Sequence, residues 1–220
     1  MKCRAIIFDY DGVIVDSEKW FVNTFVTSLE HFGIHADAAD ANKYMGKPVV
    51  ELVNALIQDY GLQASREDFE KIYFQTYMYW QQRTHDPMPG LVQFLKWITR
   101  KQIMTGLATS AVPSHYETIN NRIGLHFQFD VYVCAKDIMH SKPDPEIYEK
   151  AIKAFSEKGI SKDEIAVIED SANGIASARA AGLFVFGYKG SKVQQDTSKA
   201  NIEVGCFKEI QNILEGEIEK

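Results

Sequence analysis

The hydrophobic residues of the chain follow two kinds of pattern. Near the start, the apolar run at 5–8 ends at Asp9 and predicts a short buried β-strand. From 17 to about 84, apolar residues recur instead at the three- and four-residue spacing of helices, and Ser65 with Asp68 predicts a helix cap. Helices are predicted in this stretch at 20–32, 49–60 and 69–80. An all-helical segment therefore follows the first strand.

Beyond residue 87, predicted strands and helices alternate. The strands are predicted at 103–108, 129–134, 164–168 and 183–186. Helices are predicted at 91–98 and near 116–119, and two more run from the N-cap Asp144 to 155 and from the N-cap Ser171 to Gly182. Such alternation is typical of a parallel sheet that helices cover on both faces. We therefore predict an α/β fold, in which a Rossmann-like core of residues 1–16 and 86–220 receives a helical insert at 17–85.

The composition argues against several classes of protein. The 220 residues carry a formal net charge of -6 and a pI near 5.5, whereas binders of nucleic acid or anionic membranes need a basic face. No apolar run approaches the roughly 18 residues that cross a bilayer, and the N-terminus lacks the features of a signal peptide. The three cysteines are far apart and form no CxxC pair, which disfavours a disulfide framework or a zinc site. These features predict a protein of the reducing cytoplasm that binds neither nucleic acid nor membranes. We expect a monomer, although the sequence does not fix the oligomeric state.

Polar side chains follow several of the predicted strands at their carboxyl ends, where open parallel sheets bind ligands. They are Asp9 and Asp11 after the first strand, Thr109 and Ser110 after the second, Lys142 in the loop after the third, and Glu169 and Asp170 after the fourth. Four neighbouring carboxylates resist joint ionisation unless a cation such as Mg²⁺ balances them. Each motif alone has an ordinary structural explanation as a turn, a cap or a surface residue. Their joint order indicates a site for a phosphoryl group.

The chain resembles the haloacid dehalogenase superfamily of phosphohydrolases over essentially its whole length. The four motifs of that family are matched in order by FDYDGVI at 8–14, LAT at 107–109, KP at 142–143 and IEDS at 168–171. The helical insert is similar to the type C1 cap domain of the family. The sequences DGV and KPDP most resemble the β-phosphoglucomutase-like branch, which contains small sugar-phosphate phosphatases and mutases.

The resemblance implies a Mg²⁺-dependent phosphatase that acts on a small phosphorylated metabolite, with a sugar phosphate favoured. It implies Asp9 as the nucleophile that forms an aspartyl-phosphate. It implies Asp11 as the acid that protonates the leaving oxygen and then activates water. Thr109 and Lys142 would hold the transferring phosphoryl group, and Ser110 would bind substrate beside them.

The resemblance also implies a metal site and a substrate-binding cap. The implied Mg²⁺ ligands are Asp9, Asp170, the backbone carbonyl of Asp11, and Glu169 either directly or through water. The candidates for substrate contact in the cap are Ser17 and Glu18 at the hinge and Lys47 in the loop 45–48, which resembles the family's specificity loop. For Lys47, a solvated surface position is an equally good explanation.

The main alternative is a phosphomutase of the β-phosphoglucomutase type. Those mutases carry a histidine and a lysine at positions where this chain has Phe21 and Val112, and both departures weaken that alternative. Asp11 speaks against a dehalogenase, because dehalogenases lack this second aspartate. A phospho-accepting receiver module would also place carboxylates and a lysine around Mg²⁺, but receivers are shorter and have no helical insert.

Overall fold

The structure, a computed structural model, describes residues 2–44, 49–81, 86–110, 116–117, 120–121, 127–191 and 195–218. The chain divides into two compact units, one formed by Met1–Asp16 with Asp86–Lys220 and the other by Ser17–His85. Among the helices in the described ranges, none combines the length and the apolar character that crossing a membrane requires.

The unit at 17–85 is helical in its described part. Its helices are α1 Glu18–His31, α2 Ala38–Asn42, α3 Val49–Tyr60 and α4 Arg66–Gln81. Buried apolar side chains form its core, and they include Phe25, Leu29, Leu52, Leu56 and Phe69. The predicted cap precedes α4, since Ser65 Oγ accepts a hydrogen bond from the Asp68 backbone N–H at 3.1 Å. The helix α2 escapes prediction because its five residues are too few to show a period.

The other unit is built on a parallel sheet, which has six strands in the described part of the chain. The strands are β1 Ala5–Phe8, β2 Met104–Thr109, β3 Val131–Cys134, β4 Ile165–Glu169, β5 Phe184–Tyr188 and β6 Ile202–Val204. They lie in the order β3-β2-β1-β4-β5-β6, and every neighbouring pair is parallel. The predicted α/β fold with a parallel sheet is thereby confirmed. Strand β6 escapes prediction because Ile202 and Glu203 are exposed, so no buried apolar run marks it.

Helices connect and flank these strands. They are α5 Leu91–Arg100, α6 Glu146–Ser156, α7 Ala172–Ala180 and α8 Phe207–Ile218. Helix α7 begins as predicted, because Ser171 Oγ accepts a hydrogen bond from the Gly174 N–H at 3.0 Å. The prediction of Asp144 as the N-cap of α6 is wrong by one residue, since Pro145 takes that position. Asp144 Oδ1 still accepts from the Glu146 N–H at 3.0 Å, so its side chain satisfies one of the donors that every helix start leaves open.

Strands β1 and β4 are neighbours in the middle of the sheet, and all of their residues are buried. From β1, the strands β2 and β3 extend to one side and β4, β5 and β6 to the other. The carboxyl ends of β1 and β4 therefore form the switch point at which open parallel sheets bind ligands. Asp9 directly follows β1, its N–H donates to the Ile168 carbonyl at 3.0 Å, and Glu169 is the last residue of β4.

Candidate active site

The centre of the candidate site is the ammonium group of Lys142. Its Nζ donates to Asp9 Oδ1 at 2.6 Å, to Glu169 Oε1 at 2.8 Å and to the Ala108 carbonyl at 3.2 Å. These acceptors come from the ends of three adjacent strands, β1, β4 and β2. The Lys142 side chain is 7% exposed, and those of Asp9 and Glu169 are 12% and 0% exposed. Since an ammonium has three donors, this geometry fixes the lysine in one buried position against Asp9.

Glu169 is held by four donors of the protein. Its Oε1 accepts from Lys142 and also from the Tyr148 hydroxyl at 3.3 Å. Its Oε2 accepts from the Ser171 N–H at 2.8 Å and from the Ser171 hydroxyl at 3.0 Å. These donors reach both carboxylate oxygens, so the protein holds this side chain in one orientation. A Cβ at Gly174 would lie 2.5 Å from Oε2 and still closer to the rest of the carboxylate, which explains why glycine stands there.

The burial of these charges shifts their proton affinities. Burial raises the pKa of Asp9 to about 7, with the positive charge of Lys142 opposing that rise and the negative charge of Glu169 adding to it. Burial lowers the pKa of Lys142, but the carboxylates of Asp9 and Glu169 outweigh it and leave the pKa well above its usual value. The lysine is therefore charged, and the group around it holds more negative than positive charge.

Three carboxylates at the switch point fit a divalent cation. Asp9, Glu169 and Asp170 each offer one oxygen, and these oxygens lie within 4.8 Å of one another. All three residues are buried, and burial, with a smaller contribution from the negative charge of Glu169, raises the pKa of Asp9. Hard cations such as Mg²⁺ take carboxylate and carbonyl oxygens as ligands. The donor set therefore suits such an ion.

Gly12 shapes the backbone beside this acidic group. Its φ is 75°, a conformation that L side chains rarely adopt, and a Cβ there would lie 2.6 Å from Asp170 Cγ. The Gly12 N–H donates to the Val15 carbonyl at 2.9 Å, which closes a tight turn directly after Asp11. The glycine thus allows the loop after β1 to pass close to Asp170.

The remaining predicted residues fall at several places. Thr109 is the last residue of β2 and is 1% exposed, and the exposed Ser110 follows it. Asp11 is exposed in the turn after β1. Ser17 is partly buried and directly precedes α1, of which Glu18 is the first residue. The loop 45–48 with Lys47 lies outside the described residues, as does the side chain of Glu18. The structure thus brings Asp9, Lys142, Glu169 and Asp170 together and leaves Lys47 undescribed.

Sequence reasoning missed Tyr148, and it treated Ser171 only as a helix cap. Tyr148 lies on the apolar face of α6, where a tyrosine is indistinguishable from an ordinary core residue. One signal could have found it: it stands six residues after Lys142, on the helix that continues from the lysine loop.

Comparisons with known proteins agree with this geometry. The chain is 28% identical over 217 residues to the phosphorylated carbohydrates phosphatase of Thermotoga maritima, covering 96% of this chain and 98% of that protein. It is 26% identical to the fructose-1-phosphate phosphatase of Escherichia coli, covering 83% and 94%. The crystal structure of a conserved haloacid dehalogenase-like protein from Agrobacterium tumefaciens has the same fold, with a TM-score of 0.82 and 22% identity over 98% and 99% of the two chains.

The chain also matches the sequence model of a protein family. This model is described as haloacid dehalogenase-like hydrolase and matches residues 6–188, from β1 to the end of β5. The matched range includes the buried contact of Lys142 with Asp9 and Glu169. The resemblance that the four motifs indicate is thereby confirmed, and the protein belongs to the haloacid dehalogenase-like hydrolase family.

Proposed function

We propose that the protein is a Mg²⁺-dependent phosphatase that hydrolyses a small sugar phosphate through an aspartyl-phosphate on Asp9. Membership of a hydrolase family supports hydrolysis. The names of two relatives, a phosphorylated carbohydrates phosphatase and a fructose-1-phosphate phosphatase, support the substrate class. The proposed partner is accordingly a small phosphorylated metabolite, and the predictions of a monomer and of a cytoplasmic location remain predictions.

The observation that carries the proposal is the 2.6 Å contact between Lys142 Nζ and Asp9 Oδ1. A nucleophilic carboxylate must be ionised and held in one orientation, and a buried carboxylate is ionised only when a cation faces it. Lys142 supplies that charge, and its other two donors fix it to β2 and β4. The same ammonium can also hold an oxygen of an arriving phosphoryl group.

In the proposed first step, a carboxylate oxygen of Asp9 attacks phosphorus. The new O–P bond forms as the bond to the sugar oxygen breaks, and Asp11 gives its proton to that leaving oxygen. Lys142 and Thr109 hold the phosphoryl oxygens during the transfer, and Ser110 binds the substrate beside them. The product of this step is the aspartyl-phosphate and a free sugar.

In the proposed second step, Asp11 acts as a base. It takes a proton from a water molecule, whose oxygen attacks phosphorus, and the bond from phosphorus to Asp9 breaks. Inorganic phosphate leaves, and both carboxylates return to their starting states. The exposed position of Asp11, two residues after the buried Asp9, gives it access to both the leaving group and water.

Asp9, Asp170 and the backbone carbonyl of Asp11 would hold Mg²⁺, with Glu169 beside them. When bound, the ion supplies positive charge that offsets both the carboxylates and the phosphoryl oxygens. The protein's own contribution is the placement of one carboxylate oxygen each from Asp9, Glu169 and Asp170 within reach of one another.

We further propose that the helical unit at 17–85 is a cap domain that selects the substrate. Ser17, Glu18 and Lys47 are its proposed contacts with the sugar. A cap that closes over a site excludes water and decides which leaving group fits. The position of Phe21, which has no side-chain donor for a sugar hydroxyl, favours hydrolysis over a mutase reaction.

The proposal is tested by the release of inorganic phosphate from a panel of phosphomonoesters. The panel contains hexose 1- and 6-phosphates, fructose 1-phosphate, glycerol phosphates, phosphoglycolate and nucleotides, each with Mg²⁺ and with a chelator. We expect Mg²⁺-dependent release from hexose phosphates and almost none with the chelator. If no compound releases phosphate, the proposed phosphatase activity is overturned. Conversion of β-glucose 1-phosphate to the 6-phosphate without free phosphate would instead establish a phosphomutase activity.

A further inference from the structure

A buried tyrosine lies against Lys142, which holds the proposed nucleophile, and against Glu169, which holds Lys142. The Tyr148 hydroxyl donates to Glu169 Oε1 at 3.3 Å, and Lys142 Nζ lies 5.2 Å from the centre of the Tyr148 ring. The Tyr148 side chain is fully buried. The tyrosine therefore touches both members of the ion pair without touching Asp9 in any described contact.

The position of Tyr148 relative to the lysine is set by the backbone. The Tyr148 N–H donates to the Pro145 carbonyl at 3.0 Å in the first turn of α6. The Ser177 hydroxyl donates to the Asp144 carbonyl at 2.6 Å and ties the start of α6 to α7. The short segment between Lys142 and Tyr148 is thus anchored, and the two side chains reach Glu169 from one rigid element.

The hydroxyl of Tyr148 has a specific electrostatic role. Glu169 Oε1 has two acceptor directions, one of which is used by Lys142 and the other by Tyr148. Without the hydroxyl, one direction of a buried oxygen would stay unsatisfied, which costs free energy. The lysine could relieve that cost by moving toward Glu169 and away from Asp9.

We infer that Tyr148 is a positioning residue, whose hydroxyl and ring keep the Lys142 ammonium centred between Glu169 and Asp9. For its effect on turnover, this inference rests on the proposed phosphatase reaction. The ring adds a cation–π attraction to the ammonium. The hydroxyl occupies the acceptor direction that would otherwise draw the lysine away from the nucleophile.

The substitution Tyr148→Phe tests the hydroxyl while keeping the ring. We expect kcat for phosphate release to fall about three- to tenfold, the size of one ordinary net hydrogen bond. KM should stay within about twofold, because the lysine contact with the transferring group strengthens in the transition state. The matched control is Tyr132→Phe in β3, which removes a buried hydroxyl that has no partner among the described residues. Its kcat should equal that of the wild type.

A second variant separates positioning from packing. If Tyr148 acts through Glu169, then adding Tyr148→Phe to a Glu169→Gln protein should lower kcat by less than twofold further. A role in packing alone would give the full loss in both backgrounds, because the two effects would then be independent.

A measurement without turnover decides the inference independently of the reaction. Protons on the buried Lys142 Nζ, in protein labelled with ¹⁵N-lysine, should give a slowly exchanging signal that disappears in Lys142→Arg. We expect Tyr148→Phe to shift or broaden that signal and Tyr132→Phe to leave it unchanged. An unchanged signal in Tyr148→Phe, or a shifted signal with wild-type kcat, would overturn the inference. A wild-type protein that releases no phosphate would overturn the proposed function instead, and the Nζ signal would still decide whether Tyr148 holds the lysine.

Discussion

Gly174 offers a strong test of the packing around Glu169, because two effects of opposite sign meet there. The residue lies in the first turn of α7, where it is the third helical position after the cap Ser171. In a helix, replacing glycine by alanine stabilises by about 1 kcal/mol, since alanine loses less backbone entropy. At Gly174, however, the added Cβ would meet the carboxylate of Glu169.

The structure gives the size of the opposing effect. A Cβ at Gly174 would lie 2.5 Å from Glu169 Oε2, whereas ordinary contact begins at 3.4 Å, so the carboxylate would have to move by about 1 Å or more. Its hydrogen bonds with Lys142, Tyr148 and Ser171 would all be strained. Breaking the buried Lys142–Glu169 ion pair in this way costs about 3–5 kcal/mol. After the helical gain, we expect a net loss of about 2–4 kcal/mol.

Urea unfolding at 25 °C measures this loss in Gly174→Ala. The control is Gly216→Ala in α8, where a Cβ would meet nothing within 4 Å and where we expect a gain of up to about 1 kcal/mol. Gly174→Ala should also release phosphate much more slowly, because Lys142 loses its partner. A Gly174→Ala protein as stable as Gly216→Ala, or more stable, would contradict the predicted overlap with the Glu169 carboxylate.

Two further predictions concern the starts of helices α7 and α6. Ser171→Ala removes both the cap of α7 and one donor to Glu169, so urea unfolding should show a loss of about 1–2 kcal/mol; an unchanged midpoint would contradict the capping role. The Lys150 ammonium, together with the backbone N–H of His140, lowers the pKa of the Glu146 carboxyl from 4.5 to about 2. The ionised Glu146 therefore stabilises the fold fully above pH 4.5, and this stabilisation is lost as the pH falls toward 2. The difference in Tm between wild type and Glu146→Gln should therefore narrow over that range, and a constant difference would contradict it.

The parallel sheet could be predicted from the sequence because its strands are buried on both faces. Such strands appear as short apolar runs between helical segments, and the run before Asp9 is the clearest of them. Three of the elements in the described ranges were not predicted: β6, α2 and α8. Helix α8 carries the buried residues Phe207, Ile210 and Leu214 at helical spacing, whereas the other two lack such a signal. The strand β6 has two exposed residues out of three, and the helix α2 has only five residues.

The meeting of Asp9, Lys142 and Glu169 could also be anticipated, because the carboxyl ends of parallel strands lie at one edge. The places of Tyr148 and Gly174 against Glu169 could not. Tyr148 occupies an apolar face of α6 and Gly174 lies inside a helix, and both positions have ordinary local explanations. Their roles depend on which side chain faces them across the fold, and local spacing carries no information about that. The role of Lys47 stays a prediction, because the loop 45–48 lies outside the described residues.

The most direct test of the account compares phosphate release by the wild type and by Asp9→Asn with Mg²⁺ and a hexose phosphate. Asparagine keeps the shape of the side chain but cannot form an acyl phosphate. A thermal unfolding curve for each protein shows that both are folded. We expect Asp9→Asn to release phosphate at least about a thousandfold more slowly than the wild type. A folded Asp9→Asn protein with turnover near that of the wild type would contradict the assignment of Asp9 as the nucleophile.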